Sequence, residues 1–502
     1  MRVGIITHGS RGDTQPYLAL AQQLKACGHE VAICGPSSTV DLVQEHGIES
    51  YGMTFDCKSA IQSDVLQKAM ASGSGAECVK AFMEACTQQN AANHADSPEE
   101  ASAFVSAYKP DIIIGHPSLQ ALLIVAEKHQ LPLMVTMFFP WLPSQTMQPA
   151  CFTATELGEK GWSTKPLEAH KSVWDSFIDA EALIKLNQLR TRWGLKPYAS
   201  CSEVQALYQA LPFANCYSQH VAPEPRDLRE EFVAKQTGYL FMDALPDYEP
   251  PMELLKFLTA AGQEKPLYVG FGSLSAGSPR LVTEKVLRAL MRAGNKRCVI
   301  AGGWSGIGPE HLSPSLTGDF QELKEFADEH VVKVEAAPHS WLLPHCSGAV
   351  HHGGAGTTGA VARAGIPGAI AAFAWDQPWW AEQMETLGVG IALPAMITSV
   401  DVDTLAAAMA RLSSDPVLAK QAATLGALIR SEASGSEQLV KFTEECLTAA
   451  HPWPTPLHPV PVAPLLPLWD RYQQQQEQPS KPLEPCATVQ QVPQQQPPMG
   501  GA

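Results

Sequence analysis

The chain has 502 residues, a net charge of −16, 45% hydrophobic and 17% charged residues, a balance that suits roughly two to four globular domains and excludes a wholly disordered polymer. The acidic balance also excludes general nucleic-acid binding, because a phosphate backbone is held by clustered Lys and Arg. No stretch approaches the roughly 18–20 uninterrupted apolar residues of a membrane span, and the twelve cysteines form no CxxC pair, so free thiols in a reducing cytosol are expected.

Val3 to Ile6 is an apolar run too short for a signal peptide and predicts a first buried strand. Pro16 to Gly28 predicts a helix ended by glycine, and Val31 to Gly35 a second strand. The pattern recurs at Asp111–Gly115 and Leu133–Phe138. Such alternation predicts a parallel sheet with helices on both faces. Gln145 to Pro197 breaks the rhythm: Trp162, Trp174 and Trp193 stand among polar residues, as in an insertion of loops and helices. The Pro- and acid-rich stretch Leu245–Pro251 is a linker candidate. A second α/β series follows at Leu267–Ser273, Cys298–Gly303, Val331–Val334 and Ala349–Val350, ending with a helix around Gln438 to Ala449. Residues 451–502 hold 13 of the 40 prolines and two glutamine runs, so this tail is expected to be mostly disordered. Within it, Val460–Tyr472 carries Leu465, Leu466, Leu468 and Trp469 and is the one segment suited to docking on the body. The expected domains are 1–240, a 241–260 linker, 261–450 and the 451–502 tail, with a ligand cleft between the two sheets.

The most informative stretch is His352-Gly353-Gly354-Ala355-Gly356-Thr357-Thr358, just after Gly348-Ala349-Val350. It reads as strand, glycine loop, then a helix beginning near Thr357. Bare N–H groups at such a helix start bind phosphate, and glycines allow close approach. Gly354-x-Gly356-x-x-Gly359 is formally a dinucleotide fingerprint, with Asp376 about 20 residues downstream to hold a ribose. That fingerprint should open its domain, whereas three strands precede it here, and no hydride-transfer constellation is evident. A P-loop is excluded because no Lys-Ser/Thr follows the glycines. The pair Asp376-Gln377 can accept and donate hydrogen bonds to adjacent sugar hydroxyls, which suits a nucleotide sugar better.

With these residues in view, the chain resembles the inverting family 1 glycosyltransferases of GT-B fold. Within them it is most similar to sterol 3-beta-glucosyltransferases and bacterial glycopeptide glycosyltransferases. Six blocks carry the resemblance: Gly9–Pro16, Gly270–Ser273, Ala301–Trp304, Ala337–Leu342, His351–Gly359 and Asp376-Gln377. The resemblance implies two Rossmann-like domains facing a cleft. It implies that His352, with Ala355, Gly356 and Thr357, lines the diphosphate, with Ser273 as a further candidate there. His339 and Ala337 would lie near the base and ribose, Asp376 and Gln377 at the glucose hydroxyls, and Ser10 and Arg11 at the donor from the N-terminal side. Asp13 occupies the general-base position, although Asp-Thr-Gln-Pro is equally a good helix cap. His8 departs from the small or apolar residue usual in relatives. His8, His116 and His351 have no assigned role, structural packing being the plainer reading of each.

The expected reaction moves glucose from UDP-glucose to a hydrophobic alcohol, without cofactor or metal. Phe138–Pro143, with Met137, Met147 and the insertion's tryptophans, suggests a flat apolar acceptor such as a sterol; aromatic packing of a loop onto the core is the competing reading. A polyketide, glycopeptide or lipid acceptor stays open, as do a nucleotide-sugar epimerase and a silent sugar-nucleotide scaffold using the tail as a protein ligand. The expected location is the cytoplasm, with peripheral membrane contact left open.

Overall fold

The computed structural model describes residues 1–72, 75–93, 96–150, 166–225, 227, 233–244, 248–260, 262–273 and 278–448. Trp162, residues 245–247 of the expected linker, Cys151, Cys486 and the whole 451–502 tail lie outside them.

Two parallel sheets organise the molecule. The first contains β1 (Arg2–Ile6), β2 (Glu30–Pro36), β3 (Glu49–Met53), β4 (Ile112–Gly115), β5 (Leu133–Met137), β6 (Phe213–Asn215) and β7 (Ala234–Gln236), in the order β3-β2-β1-β4-β5-β6-β7. The second contains β8 (Leu267–Gly270), β9 (Cys298–Ala301), β10 (Val331–Val334), β11 (Gly348–His351), β12 (Gly368–Ile370) and β13 (Gly390–Ala392), in the order β10-β9-β8-β11-β12-β13. The strands read as continuous apolar runs because helices cover both faces: Val3, Ile5, Ile113, Val269 and Val350 are all fully buried.

In each sheet the strand order reverses once, between β1 and β4 and between β8 and β11. In such sheets the crevice at the carboxyl ends beside the reversal is where ligands bind. In the first sheet Ile6 pairs with Gly115, so the loops starting at Thr7 and His116 leave side by side. In the second Gly270 pairs with His351, so Phe271–Ser273 and His352–Gly354 leave side by side. The chain therefore builds two such edges, and the glycine-rich blocks of the sequence sit on them.

The first helix runs Arg11–Ala26, five residues earlier than Pro16 predicts. Ser10 is its cap, accepting from the Gly12 N–H, while Asp13 returns a bond to the Ser10 N–H in a capping box. Asp13 is therefore the third helical residue and not the cap. The glycine-loop helix likewise starts at Ala355 and not Thr357, and ends at Gly365 in the left-handed region. Helices Pro166–Phe177 and Ala180–Arg192 occupy the described part of the insertion. There Trp174 is fully buried, Trp193 donates its indole N–H to Glu99 at 2.5 Å, and neither lines the cavity described below. Both belong to packing, the competing reading.

Among the contacts that tie the halves together, two exchange helices between them. Helices Cys57–Ile61, Asp64–Ser72 and Gly75–Ala92 belong by sequence to the first half, yet Cys57, Ile61, Leu66 and Met70 share a core with Val269, Val286 and Leu405 of the second. In return the last described helix, Gly435–Thr448, buries Leu439, Val440 and Phe442 against Tyr17, Leu20 and Leu24 of the first.

Candidate active site

Between the two sheet edges lies a cavity of about 2650 Å³. Ser10, Arg11, Asp13, Ser273, Ala337, His339, His352, Ala355, Gly356, Thr357, Asp376 and Gln377 all line it. His8 and His116 line it as well, whereas His351 does not. His351 is buried in β11, and its Nδ1 accepts the Gly353 N–H at 3.1 Å, bending the glycine loop.

The phosphate-like end is built around His352. Its Nδ1 is buried and has no hydrogen-bond partner among the described residues. A buried ring nitrogen without a partner is costly unless a ligand completes it. Glycines make the cradle: a Cβ on Gly354 would stand 2.5 Å from His352 Nε2, and one on Gly272 would stand 2.9 Å from its Cε1. Gly353 has φ +91°, which favours glycine. No side chain caps the helix Ala355–Ala364, so its first N–H groups point free at the cavity. Burial, helped by His339, lowers His352 to about 4, so the ring is neutral and acts as a hydrogen-bond donor rather than a charge. His339 is lowered to about 4 as well, by burial and then by the Arg11 guanidinium facing it from the other domain. The Tyr268 hydroxyl meets His339 Nε2 at 3.1 Å.

Two carboxylates face each other across the cleft. Burial pushes Asp13 above the usual carboxylate range, against the Ser10 N–H at 2.6 Å and the Ser10 hydroxyl at 3.1 Å, which both favour ionisation. Burial raises Asp376 to about 7, opposed by the Trp380 indole at 2.7 Å and helped by the charge of Asp13. Gln377 is buried and spends its Oε1 on the N–H groups of Phe373 and Ala374, leaving its NH₂ as the donor at this wall. Trp375, just before this pair, has φ +58°, an uncommon conformation for a bulky residue.

Beside Asp13 the wall is aromatic. Phe138 and Phe139 line the cavity with His116, whose ring stacks on Phe138 with centroids 5.8 Å apart. Trp141 also reaches the cavity but is mostly buried against Trp174 and Phe177. Met137 lines it, and Met147 does not. His8 stacks on Phe55 at 4.2 Å, and burial lowers both His8 and His116 to about 4. Neutral, stacked rings fit the packing role. Among the described residues no group of His, Cys, Asp or Glu is arranged to hold a metal ion, and no helix is long and apolar enough to cross a membrane.

Residues 3–148 match the glycosyltransferase family 28 N-terminal domain, and residues 319–444 match the erythromycin biosynthesis protein CIII-like C-terminal domain. The first match covers the loops at Thr7 and His116 of the first edge, and the second covers the His352–Gly354 loop of the other. The chain has the GT-B fold. Among solved GT-B structures, it is similar to the glycosyltransferase of kitacinnamycin, with a TM-score of 0.60 and 18% identity over 88% of this chain and 98% of that one. The spinosyn forosaminyltransferase SpnP gives a TM-score of 0.57 and 18% identity over 89% and 99%. In sequence, a sterol 3-beta-glucosyltransferase of Arabidopsis thaliana is 29% identical over 408 residues, covering 78% of this chain and 57% of the relative. One of Neurospora crassa is 30% identical over 441 residues, covering 86% of this chain and 26% of the relative. The chain thus spans little more than half of the plant relative and about a quarter of the fungal one. Both matched domains of this GT-B chain contribute to the cavity, and sequence reading had selected residues from each. It missed Tyr268, Phe82 and Trp375, whose positions depend on packing between distant segments.

Proposed function

We propose that this chain transfers glucose from UDP-glucose, with inversion, to the hydroxyl of a sterol or similar hydrophobic alcohol. The observation that carries the reading is the pairing of Asp13 with a diphosphate-shaped cradle, His352 and the uncapped helix at Ala355, across one cavity. Asp13 Oδ2 is held by Ser10, which leaves Oδ1 to take the acceptor proton. The raised affinity for a proton suits a base at neutral pH. As the acceptor oxygen bonds the anomeric carbon, the bond to the diphosphate breaks. The developing charge falls on the N–H groups of Ala355, Gly356 and Thr357, on His352 and Ser273, and on Arg11. Asp376 and Gln377 hold the sugar hydroxyls, and Ala337 and His339 border the nucleoside. The sterol class draws support from the aromatic wall at Phe138 and Phe139 and from the sterol glucosyltransferases among the relatives.

Mass spectrometry after incubation with UDP-glucose and a panel of sterols and other hydrophobic alcohols tests this. A hexose added to one acceptor, and lost in Asp13→Asn and His352→Ala, is the expected result. Altered donor with no acceptor product would indicate an epimerase. Absence of UDP binding would overturn the phosphate reading of His352–Thr357.

A further inference from the structure

Asp376 is held by a loop of the second domain, but one neighbour of that loop comes from the first. Trp375 carries the left-handed backbone, φ +58°, immediately before Asp376. A bulky side chain keeps such a conformation only where its surroundings over-determine it. The Trp375 ring meets the edge of Phe82 with centroids 5.4 Å apart and planes at 85°. Phe82 lies on the helix Gly75–Ala92 and lines the cavity with Trp375. The same helical hairpin is bonded to the second domain where Thr398 Oγ1 donates to the Met70 carbonyl at 3.1 Å. The Lys285 ammonium braces that strap at the carbonyls of Ile397, 2.9 Å, and Thr398, 2.8 Å. Asp376 itself makes no capping bond to its own helix, Gln377–Thr386. Among the described residues its side-chain bond is from the Trp380 indole to Oδ2.

We infer that Phe82 is a positioning residue for the donor sugar: through Trp375 it sets the carboxylate of Asp376, so the sugar pocket is complete only when the hairpin of the first domain is seated. This rests on the reading of Asp376 as the sugar-holding group. Among the described residues the ring contact of Phe82 is with Trp375, so its effect is expected at the sugar.

The test is calorimetric binding of UDP and of UDP-glucose to wild type, Phe82→Ala, Phe82→Tyr and Asp376→Asn. Loss of one aromatic contact should weaken UDP-glucose binding about three- to tenfold in Phe82→Ala, leave UDP unchanged, and be restored in Phe82→Tyr. A general loss of folding would lower both affinities together. Unchanged UDP-glucose binding, or parallel weakening of both ligands, in Phe82→Ala would overturn the inference. If Asp376→Asn loses the sugar's contribution while Phe82→Ala keeps it, the coupling fails and the sugar reading of Asp376 stands. If wild type binds UDP-glucose no better than UDP, the sugar reading fails and the coupling with it.

Discussion

Asp13 has two duties that one substitution can separate. Its Oδ2 closes the capping box with Ser10, and its other oxygen is the proposed base. Asp13→Asn keeps an amide oxygen for the Ser10 N–H but cannot take a proton. Removing a general base costs about 10²- to 10⁴-fold in kcat, or about 3–5 kcal/mol in the barrier. The capping-box bond, by contrast, is worth about 0.5–1.5 kcal/mol of stability and its loss falls mainly on Asp13→Ala. Burial holds this carboxyl above its unfolded value of about 4. Its stabilisation of the native state is then complete below that pH and is lost as pH rises through the raised native value. An asparagine escapes that loss, so the Tm of Asp13→Asn at pH 8 should equal or exceed that of wild type. The assay pairs kcat from product formation with thermal melts at pH 5 and pH 8. A kcat loss below about tenfold in a fully folded Asp13→Asn would refute the base role, as would a loss that simply follows a lowered Tm.

Three further outcomes are expected. Asp376 titrates near pH 7 in the free protein, and its ionised form is the better acceptor for sugar hydroxyls; the KM for donor should therefore fall about tenfold from pH 6 to pH 8, and Asp376→Asn should flatten that profile. Gly354→Ala places a Cβ 2.5 Å from His352 Nε2, so UDP affinity should fall about 10- to 100-fold by calorimetry while the far-ultraviolet circular dichroism is unchanged. Leu439→Ala, at a fully buried position against the first helix, should cost about 2–5 kcal/mol in denaturant unfolding.

Motifs confined to one loop were legible because their chemistry and their glycines are adjacent in sequence. His352–Thr357 announces a glycine turn entering a helix before any fold is known, and the structure brings it and Asp376-Gln377 to one cavity. The first helix was misplaced because Pro16 looks like a start, while Gly12 obscures the Ser10–Asp13 box that begins it. β6, β7 and β13 have three residues each, too few to show a period of two. Tyr268 beside His339, and Phe82 beside Trp375, are 71 and 293 residues apart in the chain, and no local pattern records such partners.

The helix Gly435–Thr448 means that the first domain is not one uninterrupted length of polypeptide. Its outer layer is completed by a helix far along the chain, with His29 meeting Glu444 at 3.0 Å across more than four hundred positions. A recombinant that exchanges only the first half between relatives would place a foreign helix on Tyr17, Leu20 and Leu24. Chimeras meant to pair a foreign first domain with the present second one need three segments and two junctions, the second just before Gly435.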